Sequence, residues 1–205
     1  MGWYAEHILP RLDASGLDRP DVAELRHQVC SKLTGEVVEI GFGSGLNVSH
    51  YPGGVRRVHA VEPSRLARKL AEPRLSTTAV PVTFDADDAQ RLPFDDASMD
   101  CALVTFVLCT VGDPALAAAE LHRVLVPGGT VAFVEHGRSP DPSVQRWQRR
   151  LNGVNRRLCG CPLDRVAPDI LAGAGFAVTV SAERYLDRVP HFAGYLYQGT
   201  AGKAA

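Results

Sequence analysis

Val37-Val38-Glu39-Ile40-Gly41-Phe42-Gly43-Ser44-Gly45 (VVEIGFGSG, residues 37–45) is the stretch whose reading decides the fold. An apolar run of strand length passes directly into three alternating glycines, giving Glu-x-Gly-x-Gly-x-Gly from Glu39 to Gly45. Glycine lets the chain turn tightly and lets ligand atoms approach the backbone, because no Cβ intrudes. A nucleotide-like cofactor is the expected occupant. A dinucleotide fingerprint would place its third glycine at position 46, where this chain has Leu46, so the spacing argues against NAD. No Gly-Lys-Ser/Thr follows, which excludes a P-loop.

Outward from this loop, apolar runs of strand length alternate with helical segments, the pattern of an α/β fold with a doubly wound sheet. After residues 37–40, strands are expected at 58–61, 80–84, 101–107 and 130–134. A final pair is expected from 176 and from 191. The sum is a mostly parallel seven-stranded sheet with the last strand antiparallel. DPALAAAELHRVL reads as a helix ending at the PGG of residues 127–129. Before Gly35 the chain reads as two short helices, WYAEHILPRL and DVAELRHQVCSKL, a lid segment over residues 1–34 ahead of a domain over 35–205. Residues 136–168 are long and basic for a connection. Placed after the fifth strand, they would cover the carboxyl ends of the strands, where open α/β sheets bind ligands.

Composition narrows the partners. The 205 residues suit one domain with one core. Charges of 22 Lys plus Arg against 23 Asp plus Glu give a net −1, so no overall field draws the chain to nucleic acid or anionic lipid. No stretch approaches the roughly 20 apolar residues needed to cross a bilayer. The five cysteines (Cys30, Cys101, Cys109, Cys159, Cys161) are odd in number and scattered, with no signal-peptide pattern, which suits a reducing cytosol. A cytoplasmic enzyme with a small-molecule substrate is expected.

Glu62 ends the second strand 21 residues after Gly41. A carboxylate there can accept both ribose hydroxyls, each charged hydrogen bond being worth roughly 1.5 to 3 kcal/mol.

With these two motifs in place, residues 35–200 resemble the class I S-adenosylmethionine-dependent methyltransferases. The resemblance implies a cofactor site at Glu39, Gly41, Gly43, Gly45, Glu62, Pro63, Asp88, Ala89 and Thr105. Within it, Asp88-Ala89 match the family's acidic loop toward adenine, and Thr105 the strand end whose backbone meets the methionine part. Leu108-Cys109 stand where family members often carry Leu-His. EHGRSPDPSVQRWQRRLNGVNRRLCGCPLDR is similar, more narrowly, to the alkyl-thiol methyltransferases of the methyltransferase-like seven group, which implies a thiol acceptor. That group's membrane location is not expected here.

Such a cofactor carries an activated methyl, so alignment of the acceptor supplies much of the catalysis. A thiol, with a reference pKa near 8.5, is only a few per cent thiolate at neutral pH and gains from a base. His136, beyond the fifth strand, is the leading candidate to take its proton or hold the acceptor. His7 and His191 are weaker candidates. Cys159-Gly160-Cys161 is too closely spaced for the usual zinc pair, and no metal is expected. Arg146, Arg149, Arg150, Arg156 and Arg157 with Trp147 would suit either a solvated helix face or peripheral contact with lipid. The alternatives are therefore a quinone or phospholipid methyltransferase at a membrane surface, or a cofactor-binding protein without catalysis.

Overall fold

The computed structural model describes residues 16–205. Seven strands form one sheet: β1 (Gly35–Ile40), β2 (Val55–Val61), β3 (Val82–Ala86), β4 (Met99–Thr105), β5 (Leu125–His136), β6 (Ala177–Tyr185) and β7 (Tyr195–Gly202). Their order is β3-β2-β1-β4-β5-β7-β6. The first five pair in parallel, and β7 lies antiparallel between β5 and β6. The expected seven-stranded, mostly parallel α/β sheet with an antiparallel last strand is the one formed. Its order reverses between β1 and β4, which opens the crevice where sheets of this kind take ligands.

Helices cover both faces: α1 (Pro20–Cys30), α2 (Arg65–Leu75), α3 (Pro114–Val124), α4 (Pro142–Cys159), α5 (Ala167–Gly173) and a single turn, α6 (His191–Gly194). Strand alternation sorts the core. Val38, Ile40, Val104, Val131 and Phe133 pack toward α3 and α5. Val37, Leu103, Ala132 and Val134 pack toward α1 with Leu25, Val29 and Leu33. The α1 part of the 1–34 segment is thus seated on the sheet with Val22, Leu25, Val29 and Cys30 buried. WYAEHILPRL and His7 lie outside the described residues.

Strands β2, β3 and β4 start at 55, 82 and 99 in place of 58, 80 and 101, and three further boundaries differ from the sequence reading, each for a local reason. Helix α3 ends at Val124, before the PGG, and residues 125–136 form one long strand. Pro127 disfavours helical geometry at Val126, while Lys203 Nζ donates to the His122 and Leu125 carbonyls at that end. Strand β4 stops at Thr105 because Phe106 adopts a positive φ of 57° and turns the chain. His191–Gly194 form a helical turn, so β7 starts only at Tyr195.

Candidate functional site

The glycine loop leaves the carboxyl end of β1 with φ of +68° at Gly41, +58° at Gly43 and +76° at Gly45. A Cβ on Gly41 would fall 2.3 Å from Val107 Cγ2, so glycine there admits the turn after β4. A Cβ on Gly43 would meet nothing closer than the Gly41 carbonyl at 3.9 Å, so the space above it is open. After the loop the chain makes only a 3-10 turn, Val48–His50, because Pro52 holds Tyr51 extended.

Glu62, at the end of β2, closes the loop from the side. Its carboxylate accepts from Gly43 N and Ser64 N, both at 2.8 Å. Burial pushes this carboxyl above its ordinary range, against the pull of those two N–H groups. Pro63 follows on the surface, Ala89 is buried, and Asp88 is exposed, accepting from Gln90 at the carboxyl side of β3.

Beneath the loop lies a buried polar network absent from the sequence reading except for Glu39 and Thr105. Arg26 of α1 donates to Asn47 Oδ1 at 2.8 Å and to Thr105 Oγ1 at 3.1 Å. Asn47 Nδ2 donates to Glu39 Oε1 at 2.9 Å and to Thr105 Oγ1 at 3.0 Å, and Tyr51 OH donates to the other oxygen of Glu39. Arg26 is 5% exposed and Glu39 0%. One signal in the sequence points to Arg26: it shares the apolar stripe of α1 with Val22, Leu25 and Val29 at helical spacing. Thr105 therefore spends its side chain on this network.

Burial pushes the Glu39 carboxyl up to about 7, although Tyr51, Asn47 and Arg26 favour its charged form. An unfolded glutamate titrates near 4.5, so between these values the folded chain holds the extra proton. The resulting stability is present below about 4.5 and is lost as pH rises through about 7. We expect Glu39→Gln to flatten the fall in stability over that window, measured as the urea midpoint against pH. An unchanged slope would contradict this titration.

The third part gathers at the ends of β4 and β5. Glu135, fully buried, accepts from Val107 N at 2.6 Å and Leu108 N at 3.1 Å and so fixes the turn after β4. His136 ends β5 next to it, partly exposed, with Cys161 Sγ 2.9 Å from its Nε2. Cys109 completes a trio, its ligand atom and those of His136 and Cys161 all lying within 4.8 Å of one another. Burial disfavours the imidazolium, and an ionised Cys109 would overcome this and carry His136 up to about 9. The hydrogen bond with Cys161 and burial hold the Cys109 thiol well above its ordinary range, however. The adjacent Glu135 carboxyl draws the ring upward as well. His191 instead stacks on Tyr185, ring centroids 4.3 Å apart.

Residues 136–168 run out along α4 and return beside β5. Gln148 accepts from Ser139 N and donates to the Gly137 and Phe192 carbonyls, which ties α4 to the strand end. Its outer face carries Arg146, Arg149, Arg150, Arg156 and Arg157, with Trp147 and Val154 each 56% exposed. No helix among the described residues is long and apolar enough to cross a membrane.

Comparison with known proteins agrees with this geometry. A family model described as a methyltransferase domain matches residues 38–133, from β1 through most of β5. Thiol S-methyltransferase TMT1B of Rattus norvegicus is 34% identical over 136 residues, 63% of this chain and 54% of the relative. Its Homo sapiens counterpart is 33% identical over 148 residues, 69% of this chain and 59% of the relative. The chain thus spans little more than half the length of these curated relatives. The N-methyltransferase NodS of Bradyrhizobium japonicum, solved with S-adenosyl-L-homocysteine, shares the fold with a TM-score of 0.65 at 17% identity, over 95% of this chain and 91% of that one. Glycine loop, acidic end of β2 and strand order stand together in one sheet, and the chain belongs to the class I S-adenosylmethionine-dependent methyltransferases.

Proposed function

We propose that the protein transfers a methyl group from S-adenosylmethionine to the sulfur of a small, apolar alkyl thiol. The observation that carries the reading is the imidazole of His136 at the carboxyl end of β5, beside Cys109 and Cys161 and on the same edge of the sheet as the glycine loop. The similarity to the thiol S-methyltransferases supports the same acceptor. The site fits the cofactor: the cradle over Gly43 is open, and each Glu62 oxygen, occupied by one backbone N–H, keeps a lone pair for a ribose hydroxyl. When bound, the cofactor supplies a sulfonium methyl that passes to the acceptor sulfur as the old carbon–sulfur bond breaks, leaving S-adenosylhomocysteine.

The chain's own residues do the rest. Glu62 and the loop hold the donor, Glu135 sets the turn that faces it, and His136 receives or orients the acceptor thiol. Segment 136–168 covers the acceptor, with Gln148 as its tether. We expect S-adenosylhomocysteine release to be stimulated by an alkyl thiol and not by an amine or alcohol of the same chain length. Equal stimulation by the amine would refute the thiol assignment.

A second reading has one observation in its favour. The exposed Trp147 and Val154 on the basic face of α4 suit a membrane surface, and hence a quinone or phospholipid acceptor.

A further inference from the structure

Methyl transfer to a thiol calls for one group to take a proton, yet His136 is faced by two cysteines from other parts of the chain. Cys109 lies in the turn after β4, and Cys161 follows α4. They are 2% and 4% exposed and carry no disulfide, while His136 retains a partly open side. As packing residues, cysteines behave as small hydrophobes and have no need of an imidazole nitrogen. We propose that Cys109, His136 and Cys161 bind a zinc ion whose fourth coordination position takes the sulfur of the acceptor thiol. The choice of acceptor rests on the reading above, whereas the three-ligand site does not.

Donor chemistry, geometry and charge all favour zinc. Two thiolates and one imidazole form a tetrahedral set in which three protein ligands leave one position open for substrate. With bonds of about 2.3 Å to sulfur and about 2.0 to 2.1 Å to nitrogen, tetrahedral ligand atoms stand roughly 3.5 to 3.8 Å apart. The three atoms already lie within 4.8 Å of one another, so they need to approach by only about 1 Å to reach that spacing. Zinc with two thiolates and a neutral imidazole carries no net charge, so its burial needs no added counter-ion.

The backbone around the trio is held from outside. Arg165 Nη1 donates to the Leu108 and Val111 carbonyls and Glu135 accepts from the Val107 and Leu108 N–H groups, together bracketing Cys109. Asn155 Nδ2 donates to the Cys161 carbonyl at 2.6 Å, and Asn152 accepts from Leu163 N at 2.8 Å. Such outer contacts fix ligands in place. Metal entry releases the two protons of Cys109 and Cys161 to solvent. An incoming alkyl thiol replaces the water in the open position, and its proton leaves to solvent. The sulfur remains bound as thiolate, the nucleophilic form.

Titration of the metal-free, reduced protein with cobalt(II), followed by displacement with zinc, tests the site. We expect one equivalent of cobalt to bind with thiolate-to-cobalt charge-transfer absorption, and zinc to abolish that band and raise the melting temperature. Cys109→Ser and Cys161→Ser, conservative in size, should each weaken binding by more than about tenfold and reduce the band. An alkyl thiol added to the cobalt form should strengthen it. Absence of stoichiometric binding in the reduced wild-type chain, or binding unchanged in the double serine variant, would overturn the metal site. A cobalt spectrum indifferent to alkyl thiol would overturn the open position. A spectrum that responds to thiol in a chain that methylates no thiol would uphold the site and remove the acceptor reading.

Discussion

Substituting His136 by alanine is expected to lower turnover with an alkyl thiol by about 100-fold, the lower end of what a group that takes a proton or holds the acceptor in place contributes. Affinity for S-adenosylhomocysteine should stay within about twofold of wild type, a difference of less than 0.5 kcal/mol. The asymmetry follows from placement. His136 stands at the end of β5 beside Cys161 and Cys109, whereas the groups assigned to the cofactor follow β1, β2 and β3 or end β4. The rate deficit should also shrink as pH rises past the reference thiol pKa of about 8.5, where the acceptor ionises unaided. Initial rates across pH, set beside calorimetric titration of the product cofactor, decide the matter. A parallel loss of cofactor affinity would give His136 a structural role instead.

Gly43→Val is expected to weaken S-adenosylhomocysteine binding by about 100-fold, roughly 2.7 kcal/mol, while the protein stays folded. A valine at the φ of +58° costs roughly 1 to 3 kcal/mol of backbone strain. The first side-chain carbon meets open space, with only the Gly41 carbonyl at 3.9 Å. The branched group therefore projects where a ligand must approach, and strain on the loop loosens the Gly43 N–H that holds Glu62. Gly41→Ala is a useful contrast, since its Cβ would overlap Val107 and disturb the packing itself. If Gly43→Val binds the product cofactor as tightly as wild type, with a cooperative melt, the cradle is elsewhere.

The parts of this site legible in the sequence are those in which neighbours along the chain act together. VVEIGFGSG carries strand, turn and cradle within nine residues, and Glu62 follows at the end of the next apolar run. The mostly parallel sheet followed from the alternation of apolar runs and helices, because parallel strands need crossovers, whereas the order of the strands comes from the structure. What stayed hidden depends on tertiary neighbours. Arg26, Asn47 and Tyr51 come from α1 and from the turn after the glycine loop, and only folding sets them around Glu39 and Thr105. The cysteine and histidine trio is likewise drawn from positions 109, 136 and 161. Cys159-Gly160-Cys161 offers only a local pair in the sequence, whereas the fold sets Cys161 beside Cys109 and His136. At the PGG, a turn signal within a long strand was taken for the end of α3, where Leu125 had already left helical geometry with ψ of 140°.

The measurement that bears most directly on thiol methylation is a competition with isotopically labelled S-adenosylmethionine in one mixture of an alkyl thiol, a quinol and phosphatidylethanolamine, with products resolved by mass spectrometry. We expect the label on the sulfur of the thiol, as a thioether formed in step with S-adenosylhomocysteine. Label on the quinol or the phospholipid with the thiol left unmodified would contradict the thiol assignment and point to the basic, Trp147-bearing face of α4 as the side from which the acceptor enters.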